Sequence, residues 1–259
     1  MPAFRRYIGI DYSGAETSLK GLRVYKATSD APPVEVPPPP SPRKYWTRKG
    51  IAEWLVERLA EDAPTLVGID HGFSFPLRYF EAHGLLPDWP RFLDDFQHHW
   101  PTDEDHTYVE FVRDGIAGNG AARRGNARWW RLTEERAGGA KSVFHFDVQG
   151  SVAKSTHAGI PWLRFIRQRL GARVHFWPFD GWDIPAGHSA IAEVYPALWS
   201  RSFAREVSGN LNPESLSPKT ASTATISAIN SMFDADTPTG TRTQAAIRSR
   251  RQTMSLCVT

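Results

Sequence analysis

Apolar residues in this chain gather in short blocks divided by turn formers, and the period of each block predicts its element. Residues 5–10 form an apolar run that stops at Asp11-Tyr12-Ser13-Gly14, and residues 19–27 alternate weakly, the pattern of a strand, a turn and a second strand. Pro32, Pro33, the run from Pro37 to Pro40 and Pro42 follow, so 32–42 reads as an extended, polyproline-like surface excursion, neither helix nor central strand. Thr47 then caps a helix expected to reach Glu61, with Ile51, Trp54, Leu55 and Leu59 along one face. Pro64 breaks that segment. Residues 65–69 predict a buried strand closing on Asp70, with Gly72 and Pro76 just beyond.

Residues 77–139 read as short helices and loops forming an insertion over one edge of the sheet, amphipathic at 89–96 and glycine-rich at 115–125. Pro161 suits the first turn of a helix that turns Trp162, Leu163, Phe165, Ile166 and Leu170 inward and ends at Gly171. Residues 174–177 and 189–195 predict two more strands, and 196–206 a last amphipathic helix. This order of strands and helices predicts an α/β fold.

Composition divides the chain once. All ten tryptophans and all seven tyrosines precede Val207, whereas from Ser208 onward about a third of residues are Ser or Thr and Phe233 is the only aromatic. Such a segment buries too little apolar surface to offset its ordering entropy, so the expectation is one domain over 1–207 and an unstructured tail over 208–259. The net charge of +3 permits a nucleic-acid partner without requiring one. No window approaches the roughly 20 apolar residues of a membrane helix, and residues 1–14 lack a secretory apolar run, so no membrane partner and a cytoplasmic location are expected. Cys257 is the single cysteine, which excludes disulfide frameworks and zinc ribbons and leaves oxygen or imidazole to hold any metal.

The candidate chemistry lies in an echo. Tyr7-Ile8-Gly9-Ile10-Asp11 and Leu66-Val67-Gly68-Ile69-Asp70 both run apolar, apolar, glycine, isoleucine, aspartate, with the acid where the strand leaves the sheet. A turn-initiating Asp explains one such site; a matched pair points to two carboxylates on neighbouring parallel strands, about 4.8 Å apart and able to share divalent cations. Glu193, within Ala190-Ile191-Ala192-Glu193-Val194-Tyr195-Pro196, is a third acid in an apolar strand, where a charge is costly unless paired or metal-bound. Three carboxylates without thiols make a hard site suited to Mg²⁺ or Mn²⁺, and phosphodiester hydrolysis is the reaction that follows.

The stretches Ile8-Gly9-Ile10-Asp11, Val67-Gly68-Ile69-Asp70 with Pro76, and Glu193-Val194-Tyr195-Pro196 resemble the predicted ribonuclease H-like nucleases catalogued as domain of unknown function 429, over about residues 5–205. The resemblance implies a ribonuclease H-like fold, a central mixed sheet with helices on both sides, and Asp11, Asp70 and Glu193 as an acidic cluster binding Mg²⁺ or Mn²⁺. Related nucleases place a further aspartate on a closing acidic, alanine-rich helix. No such pattern follows Val207, so the segment from Ser208 is expected not to be this fold's native ending.

Other readings compete. Asp11-Tyr12-Ser13-Gly14 and Asp70-His71-Gly72 also resemble the phosphate loops of actin-like and sugar-kinase ATPases, which pair two such domains in longer chains. A catalytically inactive ribonuclease H-like binding module is a further alternative. Arg123, Arg124, Arg128 and Arg131 interleave with Trp129 and Trp130, a combination able to neutralise phosphates and stack bases, or else to cover surface tryptophans with arginine stems. His98, His99, Asp103, Glu104, Asp105 and His106 match no ligand spacing and read as a solvated acidic turn. His145, Lys154 and His157 are candidate phosphate or acid–base groups, and serine-hydrolase and P-loop patterns are absent.

Overall fold

Six strands make one mixed sheet in the order β3-β2-β1-β4-β6-β5 in the computed structural model, which describes residues 4–16, 21–40 and 44–196. β1 (Arg6–Asp11) pairs antiparallel with β2 (Arg23–Thr28), and β2 with β3 (Ala31–Glu35). β4 (Thr65–Ile69) runs parallel to β1, β6 (Ser189–Glu193) parallel to β4, and β5 (Val174–Trp177) parallel to β6. The α/β expectation holds as a six-stranded mixed sheet with helices. β4 is buried at all five positions, and its Leu66, Val67 and Ile69 each contribute about 1.5–3 kcal/mol by leaving water.

One prediction needs correcting at the sheet edge. The proline segment is not purely an excursion, because Ala31–Glu35 carries Pro32 and Pro33 into β3. Edge placement makes this possible, since a proline there gives up no ladder hydrogen bond on the solvent side. The β2–β3 register shifts between Lys26 and Thr28, and Trp46 Nε1 donates to the Val36 carbonyl at 2.9 Å, tying down the chain beyond β3. α1 (Arg48–Leu59) starts at Thr47, whose hydroxyl accepts from the Gly50 amide at 3.0 Å, and buries Ile51, Ala52, Leu55 and Leu59. Trp54 sits at the margin of that face, edge-on to Trp46 at 5.8 Å.

By contact density the described residues fall into two units, one of 4–12, 21–40, 44–71 and 170–196, the other of 13–16 and 72–169. The first holds the whole sheet and α1. The second contains α2 (Leu77–Ala82), α3 (Trp89–His99), α4 (Val109–Arg113), a 3-10 turn at Gly120–Arg123, α5 (Leu132–Ala137) and nearly all of α6 (Ala153–Leu170). Its core is aromatic: Phe75 lies 4.6–5.3 Å from Tyr79, Phe92, Phe96 and Phe144.

α6 begins eight residues earlier than the expectation at Pro161, which lies in the helix interior. Proline cannot donate to the carbonyl four residues back, that of His157. Thr102, 3% exposed, takes over that role: its hydroxyl donates to the His157 carbonyl at 2.9 Å. The helix stops as expected before Gly171, whose φ of 53° is left-handed. The helix expected at 196–206 lies, apart from Pro196, outside the described residues, as does the tail from Ser208.

Candidate active site

The sheet register arranges the strand-end carboxylates. Gly9 pairs with Gly68, and Gly68 with Ala192, giving a row of three small residues across β1, β4 and β6. Ile10 pairs with Ile69, and the Asp70 amide donates to the Ile10 carbonyl at 3.1 Å, continuing the ladder past the strand end. Asp11 and Asp70 therefore follow level with each other, on the face that strand alternation shares with Gly9 and Gly68. Glu193 is opposite Ile69, one residue short of Asp70. By alternation it leaves the sheet on the side of Ile10 and Ile69, so the three acids are neighbours without being equivalent.

Their electrostatics are shared. Asp70 is partly buried, and its carboxyl is pushed up to about 7 by desolvation first, then by the negative charges of Asp11 and Glu193. Asp11 is exposed as a residue, yet desolvation of its carboxyl raises it too, against the opposing pull of Arg23. Arg23 is the direct cross-strand partner of Asp11 on β2 and also meets Glu35 at 3.2 Å. Among the described residues, no group of three or more His, Cys, Asp or Glu side chains is arranged to hold a metal ion together.

Two aromatic residues follow the aspartates directly. Tyr12 and His71 meet edge to face at 4.6 Å, both buried. The Tyr12 hydroxyl has no hydrogen-bond partner among the described residues, and burial holds its proton tightly against the opposing charge of Arg48. Sequence reasoning placed Tyr12 and His71 only within possible phosphate loops and missed Arg23, which requires the β1–β2 register.

The other candidates, all in the second unit, are committed elsewhere to varying degrees. Arg123 grips Asp95 with two hydrogen bonds of 2.6 and 2.7 Å. Arg131 caps α5, its backbone amide and Nε both donating to Glu134 at 2.9 Å, and Glu134 also accepts from the Val143 amide. Trp129 packs edge-on to Phe144 at 6.2 Å with the Arg78 guanidinium over its ring at 5.9 Å. Arg124 and Arg128 remain exposed. Lys154 meets Glu110 at 2.6 Å.

His157 is sealed among Phe75, Phe96, Trp100, Phe144 and Phe146 at 4.6–6.0 Å, with Nδ1 donating to the Ala153 carbonyl at 2.8 Å. Burial pushes this imidazole down to about 3, so it is a neutral core residue. His99 Nδ1 donates to the Asp95 carbonyl, and Asp103 accepts from Gln97. The His98–His106 cluster is therefore not one turn: His98 and His99 close α3, and only Asp103, Glu104, Asp105 and His106 lie in the turn beyond it.

Comparison with known protein families, with characterised proteins and with solved structures returns no match to this chain. No helix among the described residues is long and apolar enough to cross a membrane.

Proposed function

We propose that this chain is a divalent-metal-dependent phosphodiesterase of the ribonuclease H-like class, acting on a nucleic acid, with Asp11, Asp70 and Glu193 as its working carboxylates. The observation that carries the reading is the electrostatic coupling at the ends of three adjacent parallel strands, where Asp70 is held near 7 partly by the charges of its two neighbours. Carboxylates that repel one another at a desolvated site are offset by a bound cation, and their oxygens suit Mg²⁺ or Mn²⁺. Asp11 and Asp70, level on one face, would hold the ion, with Glu193 adding its negative charge from the next strand. A bound divalent ion activates water and stabilises the oxygens of an in-line phosphoryl displacement. Arg23 favours the charged form of Asp11, and the Gly9–Gly68 row keeps side-chain bulk away from the shared face.

The test is thermal unfolding with and without Mn²⁺, alongside cleavage of labelled RNA and DNA. Mn²⁺ should raise Tm of the wild type by mass action and support cleavage, and Asp70→Asn should lose both effects while staying folded. A Tm indifferent to Mn²⁺ in the wild type rejects the metal site. A Mn²⁺ shift without cleavage of either polymer rejects the hydrolase and assigns a binding module.

A further inference from the structure

The second unit presents a patch whose charge is left over after its internal ion pairs are made. No acidic residue lies between Asp114 and Glu134, a stretch containing four arginines. Arg123 is neutralised by Asp95 and Arg131 by Glu134. Arg124 and Arg128 are exposed and form no ion pair among the described residues, and the same holds for Arg78 on α2.

These groups are gathered by α2 and a turn. The His83 ring, at the end of α2, bonds to the Arg124 carbonyl at 3.0 Å, while Arg78 lies over Trp129 near the helix start. The Trp129 amide donates to the Asn126 carbonyl at 2.8 Å and the Arg128 amide to the Asn126 side chain at 2.9 Å, closing a turn that carries Arg128 and both tryptophans. Gly125 lets this turn approach the core, because a Cβ there would overlap the Phe144 ring. Trp129 is anchored inward against Phe144, and Trp130 beside it is 38% exposed, an unusual place to leave an indole.

We infer that this patch binds a single-stranded nucleic acid, with Arg78, Arg124 and Arg128 neutralising phosphates and Trp130 stacking on a base. Unpaired arginines beside an exposed, rigidly based indole match both components of a single strand, a charged backbone and an accessible base face. In duplex DNA the bases are already stacked, so the indole has no face to meet. The inference deepens the nuclease reading by naming the form of its substrate. It rests on that reading for the purpose of the binding, not for the binding itself.

Fluorescence anisotropy of a labelled oligothymidylate in EDTA, over a series of salt concentrations, tests it apart from catalysis. Wild type and Asp70→Asn should bind alike. Trp130→Ala should weaken binding roughly tenfold or more, and Arg124→Gln with Arg128→Gln should flatten the slope of log affinity against log salt by about 1.4, two contacts at 0.7 each. Both variants alter exposed side chains, and unchanged circular dichroism verifies their folding. Unchanged affinity in Trp130→Ala, an unchanged salt slope in the arginine variant, or equal affinity for a duplex of the same length would each overturn the proposal. Cleavage lost in Asp70→Asn with binding kept separates the two claims. If the patch variants bind normally while Asp70→Asn is inactive, the patch fails and the nuclease reading survives.

Discussion

Asp70 and His157 are each desolvated, and they give the protein opposite responses to pH. Asp70 holds its proton up to about 7 in the folded state but only to about 3.9 when unfolded. Between those values the native state binds more protons, so stability falls as pH rises, by up to about 4 kcal/mol once pH passes 7. His157 is the reverse. Its folded value of about 3 lies below the unfolded 6.5, so its stabilising effect is complete above pH 6.5 and about 3 kcal/mol of it is gone by pH 4.5. Urea unfolding at pH 8 and 4.5 distinguishes the two. Asp70→Asn should be more stable than wild type at pH 8, with the gain shrinking to about 1 kcal/mol or less at pH 4.5, while His157→Phe should suppress the acid loss. An Asp70→Asn gain of equal size at both pH values would show that the carboxyl is not desolvated as described. The Asp pair was legible as an echo because glycine, isoleucine and aspartate repeat at matched strand positions. The fate of His157 was not legible, because no local spacing reveals five aromatic rings brought together from three separate parts of the chain.

At the scale of elements, α6 shows how a local rule is outvoted. Proline strongly favours a first helical turn, and that preference placed the helix start at Pro161. Helix continues through the position because Thr102, 55 positions before His157, fills the bond to the His157 carbonyl that proline cannot make. The compensation predicts a coupling. Thr102→Val should cost about 1–3 kcal/mol by leaving the buried His157 carbonyl unmatched. In a Pro161→Ala background, where the new amide can donate to that carbonyl, the cost should fall below roughly 1 kcal/mol, and additive losses in a double-mutant cycle would exclude the account. β3 departs from expectation for a related reason, since whether a proline-bearing segment can pair depends on which edge of the sheet is free. Such facts are tertiary. By contrast α1, β4 and β5 were readable in place, because cap, apolar period and strand length agreed with one another at each of them.

For the whole molecule, the chain passes from the sheet unit to the second unit one residue after Asp11 and again one residue after Asp70, so both aspartates border the crossings. Sequence patterning revealed an inserted segment but not its extent, since α6, beyond the insertion expected at 77–139, falls almost wholly in the second unit. The insertion also sets a schedule for synthesis. Thr65 on β4 donates its amide to the Ser189 hydroxyl on β6, and the two are 124 positions apart. At about 5–20 residues per second, a ribosome needs roughly 6–25 seconds to supply that partner. Until then one edge of a strand buried at all five positions has no neighbour, a template for pairing with other nascent chains. Stalled chains with β4 but not β6 outside the ribosome should be cut by protease within 65–69 and captured by chaperones, and chains with β6 emerged should resist both. Equal resistance at the two lengths would mean that β4 finds cover before its partner exists. Slower translation across 72–169 lengthens this interval, so the yield of folded protein should depend on codon choice in a segment that contributes no strand to the sheet.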